Sequence, residues 1–583
     1  MWARRLARSR FGRALPRSSD SRRDCVTSGG ANVVILALVA CESPVPAGAA
    51  DSVAAADSAA PYAPAFHGEP LSPTAYLRRA SLDLRGIVPT ETELAEVEEA
   101  PDAVDGIVDG FLDDPRFENR LVDLFGEKWL TRADDFNVRS WEVGFPPEQD
   151  FAYLRSIGEE PLRLMAHIGA RDLPWTDVVT ADYTMANDIT AQVWPIEFTE
   201  EGSGWRTARY TDGRPAGGVE MTNGLWWRYY TTPNNYSRSR AAAIARLFLC
   251  EDFLTRPIQF EAVAILDRES LNDAIRTIPA CVGCHSTLDP LAASTFGFWW
   301  FDLYAPLELS VYHPEREYLG EYYLDTEMAY YGSPMGGPGD LGLQIAADDR
   351  FRRCSVKTVA EGLWRRRTDI DDFSTIQTFD DAFTDADLRL TALVRAIVHG
   401  EEYRVGNLAD DASEGDVTRL TTRRVLSPEQ VESAVEDLTG FVWRSGGYDQ
   451  LTNDIVGYRI LAGGMDGLNV TQPGRDPTLT AGLVMKRLGQ AAAQVVVQHD
   501  FNVSQADRTL FGAINAGVDR PGDPAFTDEL VHLHRRIHGQ TPDPEELAAD
   551  EELWTQVESV STIGQAWASV VAVLFRDPAF WTD

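Results

Sequence analysis

One pentapeptide limits what this chain of 583 residues can fold into more than any other stretch: Cys281-Val282-Gly283-Cys284-His285. Two thiols separated by two residues and followed at once by an imidazole give the spacing at which a haem is bonded through two thioethers while the His takes the iron. A fold built on it has to enclose a large, flat, apolar group. Three other readings compete. Zinc needs two more ligands, and the only cysteines outside the motif and the N-terminal region, Cys250 and Cys354, are single and distant, whereas structural zinc sites usually show a second paired cluster. A thioredoxin-like pair belongs at a strand-to-helix turn, but a polar, helix-like stretch, 267–277, separates the nearest apolar run, 262–266, from the motif. A disulfide between Cys281 and Cys284 closes a strained loop. The expected cofactor is therefore one covalent haem c, with Cys281 and Cys284 as anchors and His285 as iron ligand.

Covalent haem is loaded outside the bacterial cytoplasm, and the start of the chain agrees with export. Residues 1–40 hold eight arginines ahead of the apolar run 31–40, which is too short to span a bilayer. Leu38-Val39-Ala40-Cys41 resembles a lipoprotein box, so residues 1–40 read as a lipoprotein-type signal peptide and Cys41 as the lipidated residue. An ordinary signal peptide cleaved nearby is the alternative. Residues 41–70, rich in Ala, Ser, Pro and Asp, read as a flexible tether. The predicted place is the periplasm or the outer membrane, with membrane association through the lipid alone. The net charge of −37 becomes more negative still once the first 40 residues are set aside. That excludes nucleic acid as a partner and suits a basic redox protein.

From Ser72 onward the apolar residues recur at helical spacing. Ser72-Pro73 supplies an N-cap with Pro at the first helical position, and Thr90 with Glu93 a capping box. Further helices are expected from Pro161, Ser237, Pro428, Thr478, Asp528 and Thr562. The fold class predicted is a mainly α, multi-domain helical protein with a c-type haem-binding segment and long aromatic-rich loops. Its expected parts are an N-terminal helical domain at 71–235, a cytochrome c-like domain at 236–405, an acidic linker at 406–425 and a C-terminal helical domain at 426–583. Twelve aromatic residues between Phe296 and Tyr331 could wall a haem, although any apolar core would use the same residues.

Several phrases carry a resemblance. The stretch from Tyr76 to Pro89, the stretches 111–117 and 181–185, Leu247-Phe248-Leu249-Cys250 and the run from Cys281 to Pro290 resemble the planctomycete-type cytochrome-associated exported proteins. The resemblance implies thioether roles for Cys281 and Cys284 and a proximal role for His285. It also directs attention to Asp289-Pro290, read as a turn whose backbone carbonyl accepts the His285 ring N–H.

A sixth ligand has to come from elsewhere. Met335, in a loop of Pro and Gly 50 residues after His285, is the first choice, with Met328 and His313 as substitutes. Cys250 and Cys354 are the thiols left to form a disulfide in an oxidising compartment. His532, His534 and His538 read as an exposed helix face, and Asp369, Asp371, Asp372, Asp380 and Asp381 as solvated turns. No Gly-x-Ser-x-Gly or P-loop stands out. The sequence thus points to a lipid-anchored, single-haem electron carrier. A peroxidase-type haem enzyme with an open distal site, or a surface binding protein with structural haem, stands as the alternative.

Overall fold

Capping and period set the first helices. The computed structural model describes residues 68–257, 268–302, 305–408, 412, 424–474 and 476–583. Cys41, the signal-like segment and most of the tether and acidic linker lie outside the described residues, as does the apolar run 262–266. The Ser72 hydroxyl accepts the Ala75 N–H at 3.3 Å and Pro73 opens α1 (Pro73–Leu84). The Thr90–Glu93 capping box, at 3.2 and 2.8 Å, starts α2 (Glu91–Glu99). After α3 (Val104–Gly110), α4 (Arg116–Trp129) buries Phe117, Leu121, Phe125 and Trp129 along one stripe.

A helix expected to begin at Pro161 begins earlier, because α5 (Asp150–Ala170) runs through that proline. Pro161 has no N–H for the Ile157 carbonyl. The backbone of α8 (Asn223–Arg228) approaches there so closely that a Cβ on Gly224 would lie 2.2 Å from that oxygen. Between them come α6 (Asp177–Thr180), α7 (Thr190–Val193) and a small antiparallel sheet of β2 (Thr184–Ala186), β3 (Ile196–Phe198) and β4 (Arg206–Tyr210), in the order β2-β4-β3.

The middle of the chain holds α9 (Arg238–Leu249), α10 (Arg268–Thr277), α11 (Pro279–Ala293), α12 (Pro306–Ser310) and α13 (Leu319–Leu324). The hairpin β5 (Ala329–Tyr330) and β6 (Ser333–Pro334) follows, then α14 (Asp340–Ala346), α15 (Asp349–Trp364), α16 (Phe373–Asp385) and α17 (Leu390–Val398). Strand β7 (Val405–Leu408) pairs antiparallel with β1 (Gly68–Pro70). The tether and the linker are therefore shorter than expected, since each gives three residues to that ladder.

The C-terminal part comprises α18 (Pro428–Thr439), the short strands β8 (Arg444–Ser445) and β9 (Tyr448–Asp449), α19 (Leu479–Asp500), α20 (Pro524–His538), α21 (Pro544–Glu558), α22 (Ile563–Arg576) and α23 (Pro578–Trp581). With 23 helices among the described residues the protein is mainly helical, and none of these helices is long and apolar enough to cross a membrane.

The largest core runs from Tyr76 to Tyr403 and joins Leu77, Phe125 and Trp175 to Phe248, Leu291 and Val359. Residues on both sides of the expected 235/236 boundary thus share one interior. A second core gathers Val431, Val496, Leu530 and Trp567, and reaches back to Leu82 and Val88 beside α1. Charges tie the same junction. Arg78 donates to the carbonyls of Ala579, Phe580 and Thr582, and Arg79 to those of Tyr403 and Val405. Arg424 bridges Asp83 at 3.1 Å and Asp583 at 2.8 Å.

Two surface readings are corrected. His534 and His538 are each 4% exposed; His534 pairs with Asp550 at 2.8 Å and the His538 ring meets the Leu574 carbonyl at 2.9 Å. Their side of α20 carries Leu530, Leu533 and Ile537 into the second core, so the i, i+4 pair goes inward with them. Asp372 and Asp380 are buried too, Asp372 against Arg366 at 2.6 and 2.7 Å.

Candidate functional site

The motif occupies the first two turns of α11, with Pro279 at the first helical position. A helix, α10, precedes it, where a thioredoxin-like motif would follow a strand. Positions 281, 284 and 285 are related by i, i+3 and i+4, which places both thiols and the imidazole on one face. Cys281 and Cys284 are free thiols and partly exposed.

His285 does not meet the expected backbone carbonyl. α11 continues through Pro290 to Ala293, so Asp289-Pro290 is helix and not turn. Asp289 stands four residues after His285, one turn on, and its Oδ1 lies 2.9 Å from His285 Nδ1. Arg238, in the first turn of α9, clamps the same carboxylate from the other side, Nε to Oδ1 at 2.6 Å and Nη2 to Oδ2 at 2.9 Å. Burial pushes the Asp289 carboxyl up, but the hydrogen bonds from Arg238 and His285 hold it below the usual carboxylate range. His285 thus has one ring nitrogen fixed by a carboxylate and the other left as a donor atom.

This donor set fits a covalently attached haem. The two thiols are unpaired and reachable, the imidazole stands next to the second of them, and a carboxylate orients the ring as metal-bound histidines require. Among the described residues no group of three or more His, Cys, Asp or Glu side chains is gathered to hold a metal ion.

Met335 follows directly on β6. It is 9% exposed and belongs to the main core, and its N–H donates to the Met328 carbonyl at 3.1 Å. The strand β5 of that hairpin packs on α11, as do α9, α10 and α13. His313 lies within hydrogen-bond distance of Glu315 at 3.1 Å through Nδ1 and of the Glu308 carbonyl at 3.2 Å through Nε2. Both its nitrogens thus lie against oxygen atoms in this arrangement. Cys250 and Cys354 are joined by a disulfide, Cα to Cα 5.3 Å, between the C-terminal end of α9 and α15.

The aromatic residues after the motif divide. Phe296 and Trp299 are buried and stack at 4.9 Å, Trp299 stacks on Tyr236 at 6.2 Å, and Tyr236 on Tyr323 at 5.3 Å. Phe301, Tyr318 and Tyr322 face solvent. Nothing in the sequence singles out Arg238, since an arginine in the first helical turn after an aromatic residue is a weak signal.

A cavity of about 490 Å³ lies at the C-terminal ends of α4, α9 and α15, away from the motif. Glu361 pairs with both Lys128 and Lys357 of its wall, and Glu127 with Arg365. Lys128 also lies in the last turn of α4 and Arg365 at the C-terminal end of α15, so ion pairs and helix ends account for these cations.

Compared with models of known protein families, with characterised proteins and with solved structures, the chain matches none.

Proposed function

We propose that the chain is an exported c-type cytochrome, with one haem bonded to Cys281 and Cys284 and held at the iron by His285, that passes single electrons at the bacterial cell envelope. Lipid on Cys41 anchors it there. The observation that carries this reading is the succession His285–Asp289–Arg238 in hydrogen-bond distance behind two free thiols. When bound, the haem supplies a one-electron iron couple.

The chain's own residues do the rest. The thiols fix the group to α11. Asp289 accepts the ring proton at Nδ1, which sets the tautomer and leaves Nε2 to the metal. The carboxylate makes the imidazole a stronger donor, and the Arg238 guanidinium, sharing both oxygens, moderates that effect. Met335 is the candidate for the sixth position and Met328 its substitute. The phrases that resemble planctomycete-type cytochrome-associated proteins would agree with this reading.

A specific observation favours one second reading. A carboxylate hydrogen-bonded to His285 would also suit a peroxidase-type site, in which Asp289 would make the imidazole a more electron-rich ligand and the haem, when bound, would supply the peroxide chemistry. Carbon monoxide added to the reduced protein separates the two: a six-coordinate carrier resists it, and an open site binds it at once.

The test of the main reading is expression with the haem-attachment machinery, followed by haem staining of a denaturing gel. The wild type is expected to stain at its own mass, and Cys281→Ser/Cys284→Ser to lose the stain. A properly exported wild type that is colourless, or that carries zinc instead, overturns the assignment.

A further inference from the structure

We infer that the exposed face formed by α13 and the segment before it is the docking site of a lysine-rich, one-electron carrier protein, and that stacked rings lead inward from it to the residues holding His285. The inference rests on the haem-carrier reading and adds the surface and the partner.

The face lies next to the motif helix. α13 packs on α11 so closely that a Cβ on Gly320 would stand 2.4 Å from the Ala293 carbonyl oxygen. It displays large rings to solvent: Tyr318 is 66% exposed, Tyr322 72% and Phe301 61%. Tyrosine with an apolar body and a polar tip is the kind of residue that forms the centre of a protein interface.

Its charge is one-sided. Between residues 301 and 327 the chain has seven carboxylates and a single arginine. Among the described residues, two cations beside this face are paired, Arg316 with Glu308 at 2.7 Å and Arg276 of α10 with Asp325 at 2.8 Å. Glu315 and Glu321 stand exposed at its rim. Aromatic rings ringed by carboxylates complement a basic partner and oppose an acidic one.

Behind the face the packing is continuous. Tyr322 meets Tyr323 at 5.2 Å, Tyr323 stacks on Tyr236 at 5.3 Å, and the Arg238 guanidinium lies 5.8 Å from the Tyr236 ring. Arg238 then leads through Asp289 to His285. At the junction the backbone is strained. Tyr236 and Ser237 are consecutive non-glycine residues in the left-handed region, φ 52° and 63°, and the buried Ser237 hydroxyl has no hydrogen-bond partner. Strain of this kind persists where the surroundings impose it and gathers at functional sites. Here the bend puts Tyr236 into the stack while Arg238, two residues on, reaches Asp289. One electron passes between the haem and the partner's own redox centre; no bond forms or breaks, and the rings serve as the packed medium.

The test uses the haem-loaded full chain and a lysine-rich cytochrome c as probe, with electron exchange followed by stopped flow across a range of salt. The wild-type bimolecular rate is expected to fall as salt rises. Glu315→Lys/Glu321→Lys should lower the low-salt rate at least tenfold and flatten the salt dependence, while Glu545→Lys/Glu552→Lys on α21 leaves both unchanged. Tyr323→Leu should keep the salt dependence and slow transfer inside the complex. Equal losses from both pairs of charge reversals, or from neither, overturn the docking site; an unchanged rate in Tyr323→Leu overturns the path. Calorimetric binding of the same probe to the haem-free chain reads docking by itself, so a failure to attach haem stays distinguishable from a failure to dock.

Discussion

Replacing Arg424 by methionine removes the cation that Asp83 and Asp583 share at the seam between the two largest cores. All three side chains are nearly enclosed, at 4%, 7% and 4% exposure. Breaking a buried ion pair from one side costs about 3–5 kcal/mol, because the remaining charge is left without water or a counter-charge. Some compensation survives here. Arg79 remains 3.8 Å from Asp583, and Tyr403 at 2.7 Å and Gln430 at 2.9 Å still donate to Asp83. The expected loss is therefore near the lower end, about 3 kcal/mol, read from urea unfolding at neutral pH.

The acid limb gives a second reading of the same network. Burial pushes the Asp583 carboxyl up, but Arg424 and Arg79 hold it below the ordinary value of 3.8. A carboxyl with a depressed folded pKa adds stability that is complete above the unfolded value and disappears as pH falls through the folded one. Wild type should weaken on acidification below about pH 4, and Arg424→Met should weaken less steeply. Hydrogen exchange in α1 and α23 should quicken together in the variant, since Arg78 and Arg424 both join these ends. A loss under about 1 kcal/mol, with no change in exchange at α1, refutes the reasoning.

Two further outcomes follow from buried groups. Burial pushes Glu160 up to about 7 although Tyr210, Gly224 and Thr184 all donate to it; a folded value above the ordinary 4.5 means stability is complete below that value and declines by about 3 kcal/mol as pH rises to 7. Glu160→Gln, neutral throughout, should flatten that decline in thermal melts, and an unchanged slope counts against it. The Cys250–Cys354 bridge spans 104 residues of sequence, a loop length for which chain entropy gives about 4.7 kcal/mol. The double serine variant should unfold at correspondingly lower urea, and no shift on reduction of the wild type would falsify the bridge's role.

Local rules explain how much of this molecule was legible in its sequence. Ser72-Pro73 and Thr90/Glu93 announce their helices because each cap is a contact within four residues. Pro161 misleads because the group that accommodates it, the Gly224 backbone, is 63 residues away in sequence. His534 and His538 mislead for a related reason: arginines between them suggest a wet face, and only the packing of α21 and α22 on α20 shows that the two imidazoles point inward to Asp550 and the Leu574 carbonyl.

The candidate site divides in the same way. Thiols and imidazole are one contiguous phrase, whereas the groups that orient the ring are set by α11 running on through Pro290 and by α9 arriving alongside it. The phrase from Tyr76 to Pro89 illustrates what such motifs encode: Arg78, Arg79 and Asp83 spend their hydrogen bonds on Thr582, Tyr403, Val405 and Arg424, and Arg85 spends its own on Glu93. These charges tie α1 to residues 403–405, to Arg424 and to the segment around α23. A run of charged residues on a buried helix therefore argues for a structural seam before it argues for chemistry, whereas the Cys281–His285 stretch carries two unpaired thiols.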